Sequence, residues 1–130
     1  MRKKIIKQCL HLARAKNNPE SHPEYNNFHH FSFIVQNNKI LEMGFNRKGP
    51  PLEGFGYSQE FGKIHSENDV YRKAKGIIDH SKPFDIVNIR LNKRGQLRLS
   101  KPCSCCASFL RVVGCRHVYF STNDGFAKVV

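Results

Sequence analysis

The sequence predicts a layered α/β domain, on three observations. Its elements run helix, hairpin, loop, helix, strand, helix, hairpin. Each of the two later helices carries one apolar stripe, and such a stripe needs a sheet to pack on. At 130 residues the chain can bury one core but not two, so residues 1–130 read as a single domain.

Residues 3–16 have the pattern of an amphipathic helix. Ile5, Ile6, Cys9, Leu10 and Ala13 recur at helical spacing, while Lys3, Lys4, Lys7, Arg14 and Lys16 mostly face away. "NNPESHPEYNN" breaks it with two prolines and repeated asparagine. "HFSFIVQNNKILEMGFN" reads as a strand, an Asn-Asn turn and a second strand, together a hairpin. "RKGPPLEGFGYSQEFGK" carries four glycines and two prolines and is expected to be a long loop, a length often functional in compact domains.

Residues 66–80 return to helical spacing through Val70, Ala74, Ile77 and Ile78. "FDIVNIRLNKRGQLRLS" gives a strand, a turn near Arg94-Gly95 and a short strand-like run. "KPCSCCASFLRVVG" begins with Pro102 at a helix start and closes on Gly114, the usual asymmetry of helix ends. "HVYFSTNDGFAKVV" is an apolar run, an Asp-Gly turn and a second run, so a terminal hairpin is expected.

Composition narrows the class. Apolar residues make up 39% and charged residues 25%, the profile of a soluble globular protein. The apolar runs are too short to span a bilayer, and "MRKKIIKQCL" lacks the apolar region of a signal peptide. An intracellular setting is therefore expected, cytoplasmic or, in a eukaryote, nuclear. Three of the five cysteines fall within four residues, which argues for metal binding or free thiols and against a disulfide framework.

The net charge of +12 is unevenly placed. Residues 2–16 hold six Lys/Arg and no acid, and residues 90–101 hold five and no acid. Such a surface suits a polyanionic partner, although basic residues are also often no more than solvated faces.

Cys103 and Cys106 form a C-x-x-C at a helix start, and residues three apart on a helix share a face. A helix N-terminus also favours the thiolate a metal requires. Cys105, about 200° away on ideal geometry, is expected to face the core or a neighbouring element. A structural zinc site needs four ligands, commonly as two knuckles, and the chain has no second C-x-x-C and no H-x-x-x-H. His65, at the start of the preceding helix, is the best third ligand. Two cysteines and one histidine are the pattern of a catalytic zinc that also binds water. Glu67, two residues past His65, then gains a role as the acid–base group beside that water, whose pKa zinc lowers.

"HSE" at 65–67 and "PCSCC" at 102–106 match H-x-E…P-C-x-x-C, the signature of zinc nucleobase deaminases. Over most of its length the chain resembles the cytidine deaminase-like superfamily. That resemblance implies a three-layer fold, with a central mixed β-sheet flanked by helices and here an antiparallel C-terminal hairpin. It implies Zn2+ held by His65, Cys103 and Cys106, with Glu67 as proton shuttle. It also implies that Asn46, in "GFNRKG", contacts the sugar, as in deoxycytidylate and tRNA adenosine deaminases; the plain alternative is a strand-end turn residue.

The substrate is less sharply marked. No Arg-Gln follows the cysteines and no glutamate lies two after Asn46, unlike the free cytidine deaminases. The antiparallel terminal hairpin resembles those enzymes and also some bacterial toxin deaminases that attack nucleic acid. Tyr25, Phe28, His29 and His30 lie in or beside the first loop, and Phe55, Tyr57 and Phe61 punctuate the Gly-rich loop. Aromatics beside basic residues can stack flipped or single-stranded bases, or else they roof a small-molecule pocket or fill the core. His22, His29 and His30 read as solvated or stacking residues ahead of a second metal site.

The candidate substrate contacts are Asn46, Phe28, His29, Tyr57 and Ser104, with Arg90, Lys93, Arg94 and Arg98 for a nucleic-acid backbone. The expected activity is hydrolytic deamination of cytosine to uracil in single-stranded DNA or RNA. Free (deoxy)cytidine or its monophosphate is the alternative substrate. A non-catalytic, zinc-stabilised nucleic-acid-binding module is the alternative from another class. No membrane partner is expected.

Overall fold

The computed structural model describes residues 3–18, 29–48 and 63–129. Helix α1 (Lys3–Ala15) precedes strands β1 (His29–Gln36), β2 (Lys39–Phe45) and β3 (Arg47–Lys48). Strand β4 (Lys63–Ile64) leads into helix α2 (Ser66–Ala74) and strands β5 (Phe84–Leu91) and β6 (Leu97–Arg98). Helix α3 (Ser104–Val112) and strands β7 (Cys115–Thr122) and β8 (Gly125–Val129) follow.

The main sheet runs β2-β1-β5-β7-β8, with β6 beside β5. β1 is antiparallel to both β2 and β5. β5 and β7 are parallel, joined across α3, and β7–β8 is the antiparallel C-terminal hairpin. The sheet is therefore mixed, and helices cover both faces. Ile5, Cys9 and Ala13 of α1 pack on Phe31, Phe33, Val35, Val87, Ile89 and Leu91. Val70 and Ala74 of α2 and Phe109 and Leu110 of α3 pack on Ile34, Phe84, Ile86 and Val118 from the other side. β1 and β5 are covered on both faces, which explains why their sequences are nearly continuous apolar runs.

Local chemistry sets the turns. Asn37 and Asn38 both adopt positive φ (54° and 59°), the conformation of a tight two-residue hairpin turn. Gly114, at φ 91°, ends α3 as expected. The terminal turn differs from the expected Asp-Gly: Thr122 pairs with Gly125, so Asn123 and Asp124 make the turn. The ends of the expected 47–63 loop pair with each other, Arg47 with Ile64 and Lys48 with Lys63.

Helix α2 is shorter than its periodicity suggested, stopping at Ala74. Gly76 weakens the helix there, and the Gln36 carboxamide then clamps Asp79 through both backbone groups. Gln36 Nε2 donates to Asp79 O (2.8 Å), and Asp79 N donates to Gln36 Oε1 (2.9 Å). Ile77 is consequently 58% exposed, while Ile78 is in the core. No helix among the described residues is long and apolar enough to cross a membrane.

Two contacts set the position of α2. A Cβ on Gly44 would stand 2.7 Å from both Cα and Cβ of Val70, so the helix backbone rests directly on β2. The Asp69 carboxylate, 1% exposed, accepts from Phe45 N (2.9 Å) and Arg47 Nε (3.0 Å) and pairs with Lys73 Nζ (3.0 Å). Burial raises the pKa of Asp69, but those three donors outweigh it and hold the carboxyl below its ordinary 3.8.

Gly44→Ala is expected to lower stability by about 1–3 kcal/mol through overpacking, read from denaturant midpoints. The sign for Asp69 follows from its depressed folded pKa. Its contribution is full above pH 3.8 and is lost as pH falls through the folded value. Asp69→Asn should therefore lower stability at neutral pH and flatten its loss below about pH 4, measured by urea melts across pH.

Candidate active site

His65, Cys103 and Cys106 converge, as the spacing implied. Their donor atoms all lie within 4.8 Å of one another. His65 Nδ1 is 3.2 Å from Cys106 Sγ and 3.7 Å from Cys103 Sγ. A tetrahedral zinc needs about 3.6 Å between a nitrogen and a sulfur ligand, so the trio fits such an ion. Burial, then the charges of Glu67 and Cys103, push the Cys106 thiol up, and a neighbouring dication would reverse that preference. Cys9 and Cys115 stand apart from the trio, with burial pushing each thiol up to about 12.

Two helix starts bring the donors together. His65 is the N-cap residue of α2, with an extended backbone and no side-chain cap bond, its ring turned instead toward the cysteines. Cys103 is the N-cap of α3, where its sulfur accepts from Cys106 N at 3.4 Å. Tyr71 of α2 meets Phe109 of α3 edge-on at 5.5 Å, fastening the two helices one turn or more behind the donors.

Glu67 is 6% exposed and anchored at both oxygens. Ser66 Oγ donates to Oε1 (3.2 Å) and Asn88 Nδ2 donates to Oε2 (3.1 Å). Ser32, paired with Asn88 across β1 and β5, closes the circuit. Its hydroxyl donates to Asn88 Oδ1 (2.7 Å) and stands 2.7 Å from Ser66 Oγ. Beneath it, Ser100 Oγ donates to Asn88 O (2.8 Å) and accepts from Ser121 N (2.8 Å). Sequence reasoning missed Ser32, Asn88, Ser100 and Ser121. A signal existed for the first two: each is a polar residue inside an otherwise apolar strand, "HFSFIVQ" and "FDIVNIRL".

The remaining candidates are placed as follows. Asn46, just past β2, accepts from His30 N through Oδ1 (3.0 Å). His30 faces the α2 side of the sheet. His29, one residue earlier, faces the α1 side, buried, with Nδ1 on the Asn17 carboxamide. Ser104 opens α3, exposed, beside Cys103. Phe28 and Tyr57, with His22, Tyr25, Phe55 and Phe61, lie outside the described residues. Cys105 corrects an expectation: it points away from the trio but into solvent, not the core. It sits in the first turn of α3, before that helix descends onto the sheet at Phe109 and Leu110.

Asn88→Ala would leave Glu67 Oε2 and the Ser32 hydroxyl short of a partner inside the protein. The expected cost is about 1–3 kcal/mol of stability, in denaturant melts, with metal stoichiometry unchanged by elemental analysis.

No protein-family model and no curated protein matches the chain in sequence. Solved structures do match it in fold. The dCMP deaminase of cyanophage S-TIM5 in apo form superposes with a TM-score of 0.60 at 17% identity, over 92% of this chain and 84% of that one. The same enzyme with dCMP and dUMP gives 0.58 at 19%, over 92% and 82%. Cytidine deaminase from Mycobacterium leprae gives 0.60 at 15%, over 94% and 91%. Three layers, a mixed sheet and a His/Cys/Cys trio at two helix starts coincide with that likeness, and the fold is the one these dCMP and cytidine deaminases share.

Proposed function

We propose that residues 1–130 form a zinc-dependent deaminase domain that converts cytosine to uracil, acting on single-stranded DNA or RNA. The observation that carries the reaction is the trio His65, Cys103 and Cys106 with a buried, doubly anchored carboxylate two residues from the histidine. Zinc bound there would lower the pKa of a water toward neutrality. In the hydrolysis, the water oxygen bonds to ring C4, the C4–amine bond breaks and ammonia leaves. Glu67 carries one proton from the water to N3 and the second to the departing nitrogen. Its anchors on Ser66 and Asn88 aim the carboxylate, so proton transfer needs no search of rotamers. Asn46 and Ser104 are the proposed contacts to the nucleoside within the described chain, with Phe28 and Tyr57 in support; His29, buried on the α1 side, faces away from this site.

Charge supports the polymer. A single phosphate needs one or two basic contacts, and +12 is a large surplus for that. A second reading, free deoxycytidine monophosphate, is favoured by the fold's likeness to an enzyme solved with dCMP and dUMP.

The deciding experiment incubates zinc-loaded protein with cytidine, deoxycytidine, their monophosphates and cytosine-containing single strands, and assays uracil. Oligonucleotide turnover is expected. Turnover of monomers alone would sink the polymer reading, and salt-sensitive oligonucleotide binding without turnover anywhere would favour a non-catalytic module. Glu67→Ala is expected to lower turnover by 10²-fold or more, about the scale of a general acid–base group, with zinc still bound. Retained turnover would remove Glu67 from the role.

A further inference from the structure

β5 continues past Asn88, which anchors Glu67, to the end of the sheet at Leu91. Asn92, where the β5–β6 turn begins, is four residues beyond Asn88, or about 13 Å at strand rise. β1 starts at the same end of the sheet, since His29 pairs with Leu91. α1 finishes there too. Asn17, just past that helix, donates through Nδ2 to Asn92 O (2.9 Å), and its Oδ1 meets His29 Nδ1.

Between the end of α1 and the turn lies an open cleft of about 480 Å³, lined by Arg14, Asn17, Lys93, Arg94, Gly95 and Gln96. Its three ionisable side chains are all cations, and all are exposed. The ion pairs found among the described residues engage Arg47, Arg72, Lys73, Lys82 and Arg116, not these three. Three like charges around one cleft repel one another, yet the frame that carries them is firmly built. Asn92 Oδ1 accepts from Arg94 N (2.9 Å) and Gln96 N (3.0 Å), and Asn92 Nδ2 donates to Gln96 Oε1 (2.7 Å). Gly95 N donates to Asn92 O (3.0 Å). Arg14 Nε then donates to Gly95 O (3.2 Å), which ties the helix to the turn across 81 residues of sequence. That bond uses one of the five guanidinium N–H groups and leaves those on the two terminal nitrogens for another acceptor.

We infer that this cleft holds the phosphodiester backbone of a single strand, outside the nucleotide whose base reaches Glu67. Guanidinium forks match phosphate oxygens, and a turn already fixed by its own hydrogen bonds needs no ordering when the strand arrives. A diester chain continues past the target nucleotide to span the distance from Asn88 to the turn, whereas a nucleoside monophosphate ends at its own phosphate. The link to Glu67 rests on the deaminase reading, while strand binding by the cleft stands on Arg14, Lys93 and Arg94 themselves.

Anisotropy of a labelled single strand with a central deoxyuridine, the product base, measures binding to the zinc-loaded chain without turnover. Arg14→Gln, Lys93→Gln and Arg94→Gln together should weaken binding about tenfold or more. They should also lower the slope of log K against log salt by about two, the counterions of three contacts to a single strand. Lys3→Gln, Lys4→Gln and Lys128→Gln together remove the same charge near the other end of α1, where Lys3 and Lys128 line a separate groove. This second triple variant should leave both quantities nearly unchanged. Equal losses in the two triple variants would mean diffuse charge and overturn the cleft. Backbone amide signals of residues 92–96 in the unsubstituted chain should shift along the binding curve; unmoved signals overturn the cleft whatever the variants do. Binding through the cleft with no uracil formed from any cytosine substrate would keep the cleft and bring down the deaminase reading. Oligonucleotide deamination left at full efficiency by the first triple variant would keep that reading and overturn the cleft.

Discussion

The first turn of α2 lies against the sheet, and the rest of the site depends on that contact. Ser66, Glu67, Asn68 and Asp69 are consecutive, polar and 1–6% exposed. Burying such groups costs several kcal/mol unless each finds partners. Gly44 permits the approach, because any side chain there would strike Val70. Asp69 is met by Phe45 N, Arg47 and Lys73 at the end of β2, and Ser66 and Glu67 by Ser32 and Asn88 on the central strands. The same docking presents His65 to the start of α3, where Cys103 and Cys106 stand. Metal donors and carboxylate are thus set by one helix–sheet contact.

The cost of that polar burial is offset by hydrogen bonds that also limit motion. Glu67 is tied to its own helix through Ser66 and to β5 through Asn88, and Ser32 on β1 links the two. Moving the carboxylate means breaking two bonds at once, one to its own helix and one to β5. Such over-determination is what a positioned acid–base group requires, since small displacements lower proton-transfer rates sharply. A metal at the trio would add a charge that favours the Cys106 thiolate, which burial beside Glu67 otherwise disfavours.

Much of this was legible in the sequence because its signals are local. Periodicity located the helices and strands, and paired motifs at two helix starts located the donors. What was not legible depends on partners distant in the chain. The end of α2 at Ala74 follows from Gln36, on β1, clamping Asp79. Cys105, expected to face the core or a neighbouring element, is exposed, because the first turn of α3 buries its Cys106 side and leaves the opposite side to solvent. Ser32 and Asn88 were hidden by the apolar runs around them, although their polarity at a period-two position is the mark of a strand face that meets something other than core. The expectations at Phe28 and Tyr57 fall outside the described residues.

The charge distribution then has a structural reading as well as a compositional one. Acids are scarce in this chain, and three of the described ones are drawn into its own joints: Asp69 locks α2 to β2, Asp85 holds Arg116 and the start of β7, and Asp79 caps the turn after α2. Cations outnumber them, so α1 and the β5–β6 turn carry Lys3, Lys4, Lys7, Arg14, Lys93 and Arg94 at the surface. Arg90 and Arg98, opposite each other on β5 and β6, differ from that surface population. They lie half-buried on the Glu67 face, where solvent screens like charges less well than it does on α1.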